Sequence, residues 1–478
     1  NSGIELDVSL VPKRKKGMTP YEVLLSESQE RMLVVPKKGK EDLVEEIFNK
    51  WGLNAAVIGK VTSDGQLRIM DDDEVVAEVP ADSLADDAPS YDRESIKPSY
   101  IDEKNKFDPL EEISEDNLVS KKMSGIDENK TEEKSKNNYN KLLLDLLAAP
   151  NIASKEWVFQ QYDYMVRNNT VVIPGSDAAV LRIKGTKKGL ALTTDCNARY
   201  CYLDPQKGGK IAVAEAARNI VCSGARPLAI TDGLNFGNPL NPEIFWQFEQ
   251  CIEGISEACN VLDTPVTGGN VSFYNESPAG AVYPTPIIGM VGLLNDVSNV
   301  VIQDFKDEGD LILLLGETRP ELGGSEYLNH FYDITAGEVP DIDLAQEKKV
   351  QAVCLTAAEK GIIKSAHDCS EGGLAVTLAE SCIAGEVGAE INHSVSASLT
   401  KNHEKVSHLF SETQSRIVIS IDPDDLDQIK QLTAEYDIKL TELGRVTGEN
   451  LTISRLIDLP IKELRDRWKK AISSHMEK

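Results

Sequence analysis

The alternation of hydrophobic and polar positions divides the chain into a small and a larger globular region. Between residues 31 and 80, "KEDLVEEIFNKWG" has the spacing of an amphipathic helix that ends at Gly52. The same region contains short apolar runs that predict four strands, at "RMLVV", "AAVIGKV", "QLRIM" and "EVVAEVP". Apolar periodicity resumes at Leu142 and then continues. The pattern therefore predicts a small α/β unit followed by a larger one.

The larger region also alternates between strand and helix patterns. Strands are predicted at "TVVIP", "AAVLRI", "GLALTTD", "PLAITDGLNFG" and "IIGMVGLL". Helices are predicted at Lys210–Ser223, at 242–260 and in the basic amphipathic segment "IKELRDRWKKAISSHM". A second domain is expected to open near "DLILLLG", at 310–316. Mixed strands and helices in this order predict an α/β (α+β) fold.

Residues 86–141 differ from both regions, because charge dominates there and neither helical nor strand periodicity is visible. This composition is typical of a disordered acidic linker, and a solvated helix around Leu110–Leu118 is the alternative. The predicted domains are therefore 1–85, the linker 86–141, a third segment at 142–300 and a fourth at 301–478.

A polar cluster occurs twice. "LSESQER" at 25–31 and "FSETQSR" at 410–416 are identical at four of seven positions. The same ungapped offset of 385 residues pairs Glu27 with Glu412 and Gly59 with Gly444. A period of this length is too long for a solenoid and indicates a duplicated domain. We expect most of the first copy to lie outside this chain.

Composition narrows the class of partner. The net charge of −27 argues against a nucleic-acid backbone as the main partner, since phosphate contacts need clustered Lys and Arg. No apolar run reaches about eighteen residues, so no membrane span is expected. All eight cysteines lie between Cys196 and Cys382 without a C-x-x-C pair, which favours reduced thiols in the cytoplasm.

The segment "VTGGNVSFYNE" (266–276) places two glycines after a predicted strand. A glycine turn there would let backbone N–H groups approach a phosphate closely. Asn270 offers a carbonyl oxygen to a hard cation, and Ser272 offers a hydroxyl to a substrate. A plain hairpin turn remains the alternative.

Three other motifs are weaker. In "TDGLNFGNP", Asp232 at a strand end could bind a metal-bound phosphate or form an Asx turn. "HDCSEGGLAVTLAES" could form an anion site at a helix N-terminus, or Ser370 could simply cap that helix. Asp177 and Asp195, also at strand ends, could bind Mg²⁺ or be surface acids.

In the first polar cluster, Glu27, Ser28 and Gln29 suit a hydrogen-bonding ligand such as a ribose or an amide, and polar residues at a strand edge are the alternative. The chain lacks a Walker A motif, and no histidine precedes His330. The glycine and Asp232 motifs therefore have no general-base histidine within the first 329 residues.

Several segments together closely resemble phosphoribosylformylglycinamidine synthase, the synthetase subunit II of the short bacterial type. They include "GMTPYEVLLSESQERML", "PGSDAAVLRI", "GARPLAITDGLNFGNP", "PVTGGNVSFYNE" and "HDCSEGGLAVTLAES". The resemblance implies tandem aminoimidazole ribonucleotide synthetase-like repeats, each with a ferredoxin-like sheet domain and a second α/β domain. It assigns 1–85 to the end of the first repeat, 142–300 to the barrel-forming ferredoxin-like domain and 301–478 to the last α/β domain.

The resemblance also implies an ATP- and Mg²⁺-dependent ligase of purine biosynthesis. The family reaction converts formylglycinamide ribonucleotide and ammonia, released from glutamine by a partner, into the amidine, ADP and phosphate. The partners implied are a glutaminase subunit and a small bridging subunit. Carried over by motif, the substrate contacts fall on Glu27, Ser28, Gln29 and Ser272, the ATP contacts on Asp232 and Gly269, and the Mg²⁺ ligand on Asn270.

The family's catalytic histidine would lie upstream, so no catalytic residue is assigned within the chain and the chain alone is expected to be inactive. The alternatives are a non-catalytic scaffold or another ATP-using member of the same superfamily. The second polar cluster, Ser411–Arg416, is expected to be a degenerate copy kept for the fold. An auxiliary nucleotide site near Asp368–Gly373 is the competing interpretation.

Overall fold

A computed structural model describes residues 2–13, 15–27, 31–114, 132–392 and 401–477. The chain forms two compact units, Asn1–Asp92 and Arg93–Lys478. Within the described residues, no helix is both long and apolar enough to cross a membrane.

The first unit is a four-stranded sheet with two helices. Its elements are β1 Gly3–Asp7, α1 Pro20–Leu25, α2 Glu41–Lys50, β2 Gly59–Thr62, β3 Gln66–Asp71 and β4 Glu74–Pro80. The strand order is β2-β1-β3-β4, in which β1 is antiparallel to β2 and parallel to β3. Helix α1 begins with a capping box, because Thr19 and Glu22 satisfy each other's backbone N–H groups. A small core forms around Val8, Val23 and Ile69.

The second unit begins with helices that lie in or overlap the segment 86–141 predicted to be a linker: α3 Ser99–Lys104, α4 Pro109–Ser114 and α5 Glu132–Leu147. Ile101 is buried, and the Tyr100 hydroxyl donates to the Tyr202 carbonyl at 3.0 Å. The prediction of disorder is therefore wrong for these helices, because a few apolar and aromatic residues anchor a highly charged segment. The alternative helix near Leu110 agrees with α4, and residues 115–131 lie outside the described part. The other predicted domain boundaries stay predictions.

A six-stranded sheet follows. Its strands are β5 Thr170–Val172, β6 Ala179–Arg182, β7 Gly189–Asp195, β8 Arg226–Asn235, β9 Val266–Ser272 and β12 Thr285–Leu294, with a separate small hairpin of β10 Glu276–Ser277 and β11 Gly280–Ala281. The order is β5-β6-β7-β12-β8-β9, and only the β8–β9 pair is parallel among these described strands. The helices nearby are α6 Glu156–Phe159, α7 Ala198–Leu203, α8 Pro205–Cys222 and α9 Pro242–Leu262. Strand β12 alternates buried Ile288 and Met290 with exposed Ile287, so one face of the sheet packs on helices and the other is open.

The long helix α8 starts five residues earlier than predicted, since Asp204 caps it and Pro205 occupies its first turn. Helices α8 and α9 approach closely where Gly254 faces the Gln206 carbonyl. A Cβ at Gly254 would lie 2.0 Å from that oxygen, so only glycine fits there. This contact fixes the helical layer beneath the sheet.

A seven-stranded sheet forms the last part of the unit. Its strands are β13 Leu311–Leu315, β14 Ile363–Asp368, β15 Ala389–Ile391, β16 Ile417–Ile421, β17 Leu440–Val446, β18 Asn450–Ile453 and β19 Ile457–Pro460. Its helices are α10 Glu326–Tyr332, α11 Leu344–Glu359, α12 Gly373–Gly385, α13 Asn402–Phe410, α14 Leu426–Tyr436 and α15 Ile461–Met476. The order is β14-β16-β13-β17-β15-β18-β19, and every residue of β13 and β16 is buried.

The topology confirms the duplication. The order β2-β1-β3-β4 of the first unit repeats as β17-β15-β18-β19, with the same parallel and antiparallel pairs. The register repeats as well, because Ile4 pairs with Val61 and Ala389 pairs with Val446 at the predicted offset. The predicted tandem α/β fold is therefore confirmed.

The two copies differ next to their polar clusters. The strand predicted at "RMLVV" is wrong, since Arg31–Val35 forms no regular element. Its counterpart β16 pairs with β13 on one side and β14 on the other. A strand needs such a ladder, and Arg31–Val35 has none among the described residues.

Candidate active site

The candidate site residues of the second unit lie on two adjacent parallel strands. Asp232 is on β8, and Gly269, Asn270 and Ser272 are on β9. The register pairs Asp232 with Gly269 and Asn235 with Ser272. Ligands of α/β sheets bind at the carboxyl ends of parallel strands, and these residues occupy that end of the pair. The structure thus places on two adjacent strands four residues that the sequence placed in two separate motifs, with Asp232 and Gly269 on one face of the sheet and Asn270 and Ser272 on the other.

The two glycines do not form the predicted turn. Gly268 and Gly269 lie inside β9, so the turn and hairpin interpretations are both wrong. Gly269 is needed for a different reason, because a Cβ there would lie 1.9 Å from the Asp232 Oδ1 atom. The missing side chain lets the Asp232 carboxylate lie against the backbone of β9. Partial burial raises the pKa of Asp232.

Asn270 and Ser272 share one face of β9, because side chains alternate along a strand. Asn270 is exposed and offers an amide oxygen, a ligand that hard divalent cations accept. No group of three or more His, Cys, Asp or Glu side chains in the described residues could hold a metal ion. The Asn270 side chain can supply one oxygen ligand, and its assignment to Mg²⁺ stays a prediction.

Ser272 is held by Asn275, a residue that sequence reasoning missed. The Asn275 side-chain amide donates to the Ser272 carbonyl at 2.8 Å and to the Phe236 carbonyl at 3.0 Å. Its Nδ2 atom also lies 3.3 Å from the Ser272 hydroxyl. An asparagine just after a strand is a common loop residue. The role of Asn275 becomes visible only in the structure, where its side chain reaches Phe236 at the end of β8.

The candidate residues of the first polar cluster belong to the first unit. Glu27 is exposed, and Ser28 and Gln29 lie outside the described residues. The Ser26 hydroxyl donates to the Val23 carbonyl at 3.0 Å and so closes helix α1. The predicted substrate contacts of this cluster stay predictions.

The second polar cluster is buried inside the protein. The Glu412 carboxylate accepts the backbone N–H groups of Gly372, at 2.9 Å, and of Glu326, at 2.8 Å, together with the Tyr200 hydroxyl. Burial, reinforced by the charge of Glu371, raises the pKa of Glu412 to about 7. Glu412 therefore occupies the N-terminus of α12. The Ser370 cap is wrong, since the N-cap residue of that helix is Gly372, which has no side chain.

Arg218 on α8 joins this cluster to its surroundings. Its guanidinium donates to Asp368 at 2.7 Å, to Glu347 at 2.8 Å and to the Gln414 amide oxygen at 2.8 Å. Arg218 is fully buried, so these partners replace its water. The cluster thus makes internal contacts that support its prediction as a copy kept for the fold.

Asp177 and Asp195 are not surface acids. The Asp177 side chain is 2% exposed and lies 3.0 Å from His367 Nδ1, while Glu380 lies 3.1 Å from His367 Nε2. Burial lowers the pKa of His367, but the two carboxylates outweigh burial and raise it well above its usual value. Burial raises the pKa of Asp195 to about 7. Asp195 accepts a hydrogen bond from the Asn219 side-chain amide at 3.1 Å, so both acids serve internal contacts that sequence spacing does not reveal.

Two family models match the chain along these domains. The AIR synthase related protein, N-terminal domain, matches residues 175–294, which contain the β8–β9 edge. The AIR synthase related protein, C-terminal domain, matches residues 1–72 and 307–456, the two copies of the duplicated domain. The chain belongs to the AIR synthase-related family.

Individual relatives and solved structures are also similar to this chain. The phosphoribosylformylglycinamidine synthase subunit PurL of Moorella thermoacetica is 52% identical over 475 residues, covering 98% of this chain and 61% of the relative. The structure of Thermotoga maritima PurL complexed with AMPPCP is 25% identical with a TM-score of 0.59, covering 94% of this chain and 61% of that one. T. maritima PurL complexed with FGAR shares the fold at 24% identity and a TM-score of 0.59, covering 94% of this chain and 58% of that one.

These matches confirm the resemblance to the synthetase subunit that the sequence motifs indicated. The chain spans about three-fifths of the length of the curated relatives it matches. We therefore treat the activity, substrates and partners of these longer relatives as proposals for this chain.

Proposed function

We propose that this chain forms part of an ATP-dependent phosphoribosylformylglycinamidine synthase of purine biosynthesis. The observation that carries the proposal is the β8–β9 edge, where Asp232 lies against Gly269 on one face and Asn270 and Ser272 lie on the other face of the same strand. The identity to a curated PurL supports it, as do the T. maritima PurL structures with AMPPCP and FGAR.

In this proposal Asp232 and Gly269 contact ATP, and Asn270 supplies one oxygen ligand to Mg²⁺. The bare backbone at Gly269 leaves room for the Asp232 carboxylate, which a Cβ would displace. When bound, Mg²⁺ would neutralise charge on the phosphoryl group being transferred. Ser272 contacts the ribonucleotide substrate, and Glu27, Ser28 and Gln29 are assigned the same type of contact.

The proposed reaction first turns a poor leaving group into a good one. The carboxamide oxygen of the glycinamide group in formylglycinamide ribonucleotide attacks the γ-phosphorus of ATP, and ADP leaves. Ammonia then adds to the carbon of that amide, and phosphate leaves to give the amidine, while the formyl group is unchanged. Ammonia comes from glutamine through a glutaminase subunit joined by a small bridging subunit. The complex works in the cytoplasm.

The general base in this proposal is a histidine outside the chain, as the family resemblance implies, and no histidine precedes His330 within it. The chain alone is then inactive. ADP release should be measured with formylglycinamide ribonucleotide, ATP, Mg²⁺ and ammonium. Turnover should be absent for this chain and appear when the chain is extended to the length of its relatives. Turnover by the chain alone would refute the location of the base, and no turnover by the extended chain would favour a scaffold.

Two neighbouring glycines provide a sharper test of the ATP contact in the extended protein. Gly269→Ala places a methyl group 1.9 Å from Asp232 Oδ1, whereas a Cβ at Gly268 meets nothing within 4 Å. We expect Gly269→Ala to raise the KM for ATP about tenfold or more, with Gly268→Ala close to wild type. Equal KM values for ATP in both variants would contradict the assignment of the nucleotide to this edge.

A further inference from the structure

The loop that follows β9 contains a residue in an unfavourable backbone conformation. Tyr274 has a φ of 61°, in the left-handed region that bulky side chains avoid. It is the only aromatic residue with positive φ in the described part of the chain. Its side chain is 59% exposed, so core packing does not explain the conformation. Strain of this kind concentrates at functional sites.

Hydrogen bonds on both sides of Tyr274 hold this conformation. The Tyr274 N–H donates to the Gly237 carbonyl at 3.0 Å, and the Asn275 N–H donates to the Phe236 carbonyl at 3.1 Å. The Asn275 carbonyl in turn accepts the N–H of Val282 at 3.0 Å. The loop is thereby tied to the end of β8 and to the chain that leads into β12. It is a preformed loop that presents an exposed phenol.

The position of Tyr274 along the chain indicates which part of a substrate it can reach. Asn270 marks the end of the site where phosphoryl transfer would occur, and Ser272 lies two residues further on. At about 3.3 Å per residue, Tyr274 lies up to about 13 Å from Asn270. Ser272, which is assigned to the ribonucleotide, lies between the two, so Tyr274 lies on the far side of Ser272 from the proposed phosphoryl-transfer end. Hydroxyl donors such as Ser and Tyr suit sugar and phosphate oxygens.

We propose that Tyr274 is a further substrate-binding residue, which contacts the ribose-phosphate part of the ribonucleotide beside Ser272. This inference rests on the proposed function. Asn275 acts as the positioning residue, because it connects Ser272 and Tyr274 to the end of β8. The strained backbone at Tyr274 then holds the phenol in a fixed position.

The test uses the protein extended to the length of its relatives and compares three variants. Tyr274→Asn relieves the strain, since asparagine tolerates positive φ, and removes the phenol. Tyr274→Phe removes only the hydroxyl. Tyr162→Asn is the matched control, because Tyr162 is 73% exposed and has no strained φ. The KM for formylglycinamide ribonucleotide, the KM for ATP, kcat and the melting temperature are measured for each.

We expect Tyr274→Asn to raise the KM for the ribonucleotide about tenfold, with the KM for ATP and kcat within about twofold of wild type. Its melting temperature should stay the same or rise, which a purely structural role would not produce. Tyr274→Phe should show a smaller rise in the same KM, and Tyr162→Asn should show none. An unchanged KM for the ribonucleotide in Tyr274→Asn, or a lower melting temperature, would overturn the proposal. If the wild type does not use the ribonucleotide at all, the proposed function itself fails.

Discussion

Replacing Glu412 with glutamine separates the charge of this buried carboxylate from its hydrogen bonds. One carboxylate oxygen accepts the N–H groups of Gly372 and Glu326, and the other lies against the Tyr200 hydroxyl. The amide oxygen of glutamine can accept the same two N–H groups, and its amide nitrogen can donate to the hydroxyl of Tyr200. Glu412→Gln therefore keeps the shape and the contacts and removes the titration.

The magnitude follows from the pKa of Glu412, which burial raises from 4.5 to about 7. Each pKa unit corresponds to about 1.4 kcal/mol, so ionising Glu412 in the folded protein costs about 3 kcal/mol relative to the unfolded chain. The pKa of Glu412 is raised in the folded protein, so the stability that depends on its protonated form is present in full below pH 4.5. That stability is lost as the pH rises to about 7. Above that pH the loss is complete.

Urea unfolding of the wild type and of Glu412→Gln, from pH 4.5 to pH 8.5, checks this expectation. The two proteins should have similar free energies of unfolding at the acidic end, and the variant should be more stable by about 3 kcal/mol above pH 7. Glu257→Gln is the control, since the Glu257 side chain is 47% exposed and pairs only with Lys210 at the surface. A variant that is less stable than the wild type at pH 8, or a difference that does not change with pH, would refute the reasoning.

Two further substitutions test the packing of α8. Arg218→Met removes the buried guanidinium and leaves Asp368 uncompensated, so the free energy of unfolding in urea should fall by about 3–5 kcal/mol. The control is Arg226→Met at the exposed end of β8, which should change the free energy of unfolding by about 0.5 kcal/mol or less. Gly254→Ala places a Cβ 2.0 Å from the Gln206 carbonyl and should cost about 1–3 kcal/mol by forcing α8 and α9 apart. An unchanged thermal midpoint in Gly254→Ala would show that these helices can separate freely.

Local sequence signals were enough to predict much of the fold. Alternation located β3, β4 and β7, and the amphipathic spacing located α2. The repeated polar cluster predicted the duplication that the matching strand orders confirm. These features depend on residues close together in the chain, or on comparing two stretches of the same sequence.

The residues of the candidate site were named from the sequence and their contacts stay predictions, whereas their geometry was not foreseen. Asp232, Gly269, Asn270 and Ser272 were all named from motifs, yet the glycines were expected in a turn. Glycine favours turns locally, but here the pairing of β9 with β8 and the approach of the Asp232 carboxylate require a residue without a side chain. Asn275 and Tyr274 were missed because their roles depend on hydrogen bonds to Phe236 and Gly237, which lie far away in the sequence.

The sequence by itself determined that the chain contains two related copies of one local pattern, and the motifs that its candidate site uses. Only the tertiary structure decided what each copy does. Helix α2 buries none of its residues, whereas its counterpart α14 buries Ile429 and Leu432. Glu27 is exposed, whereas its counterpart Glu412 is fully buried against Gly372. The reason is that the burial of a residue depends on neighbours from distant parts of the chain, such as β13 and β14 on either side of β16. No local sequence pattern contains these neighbours.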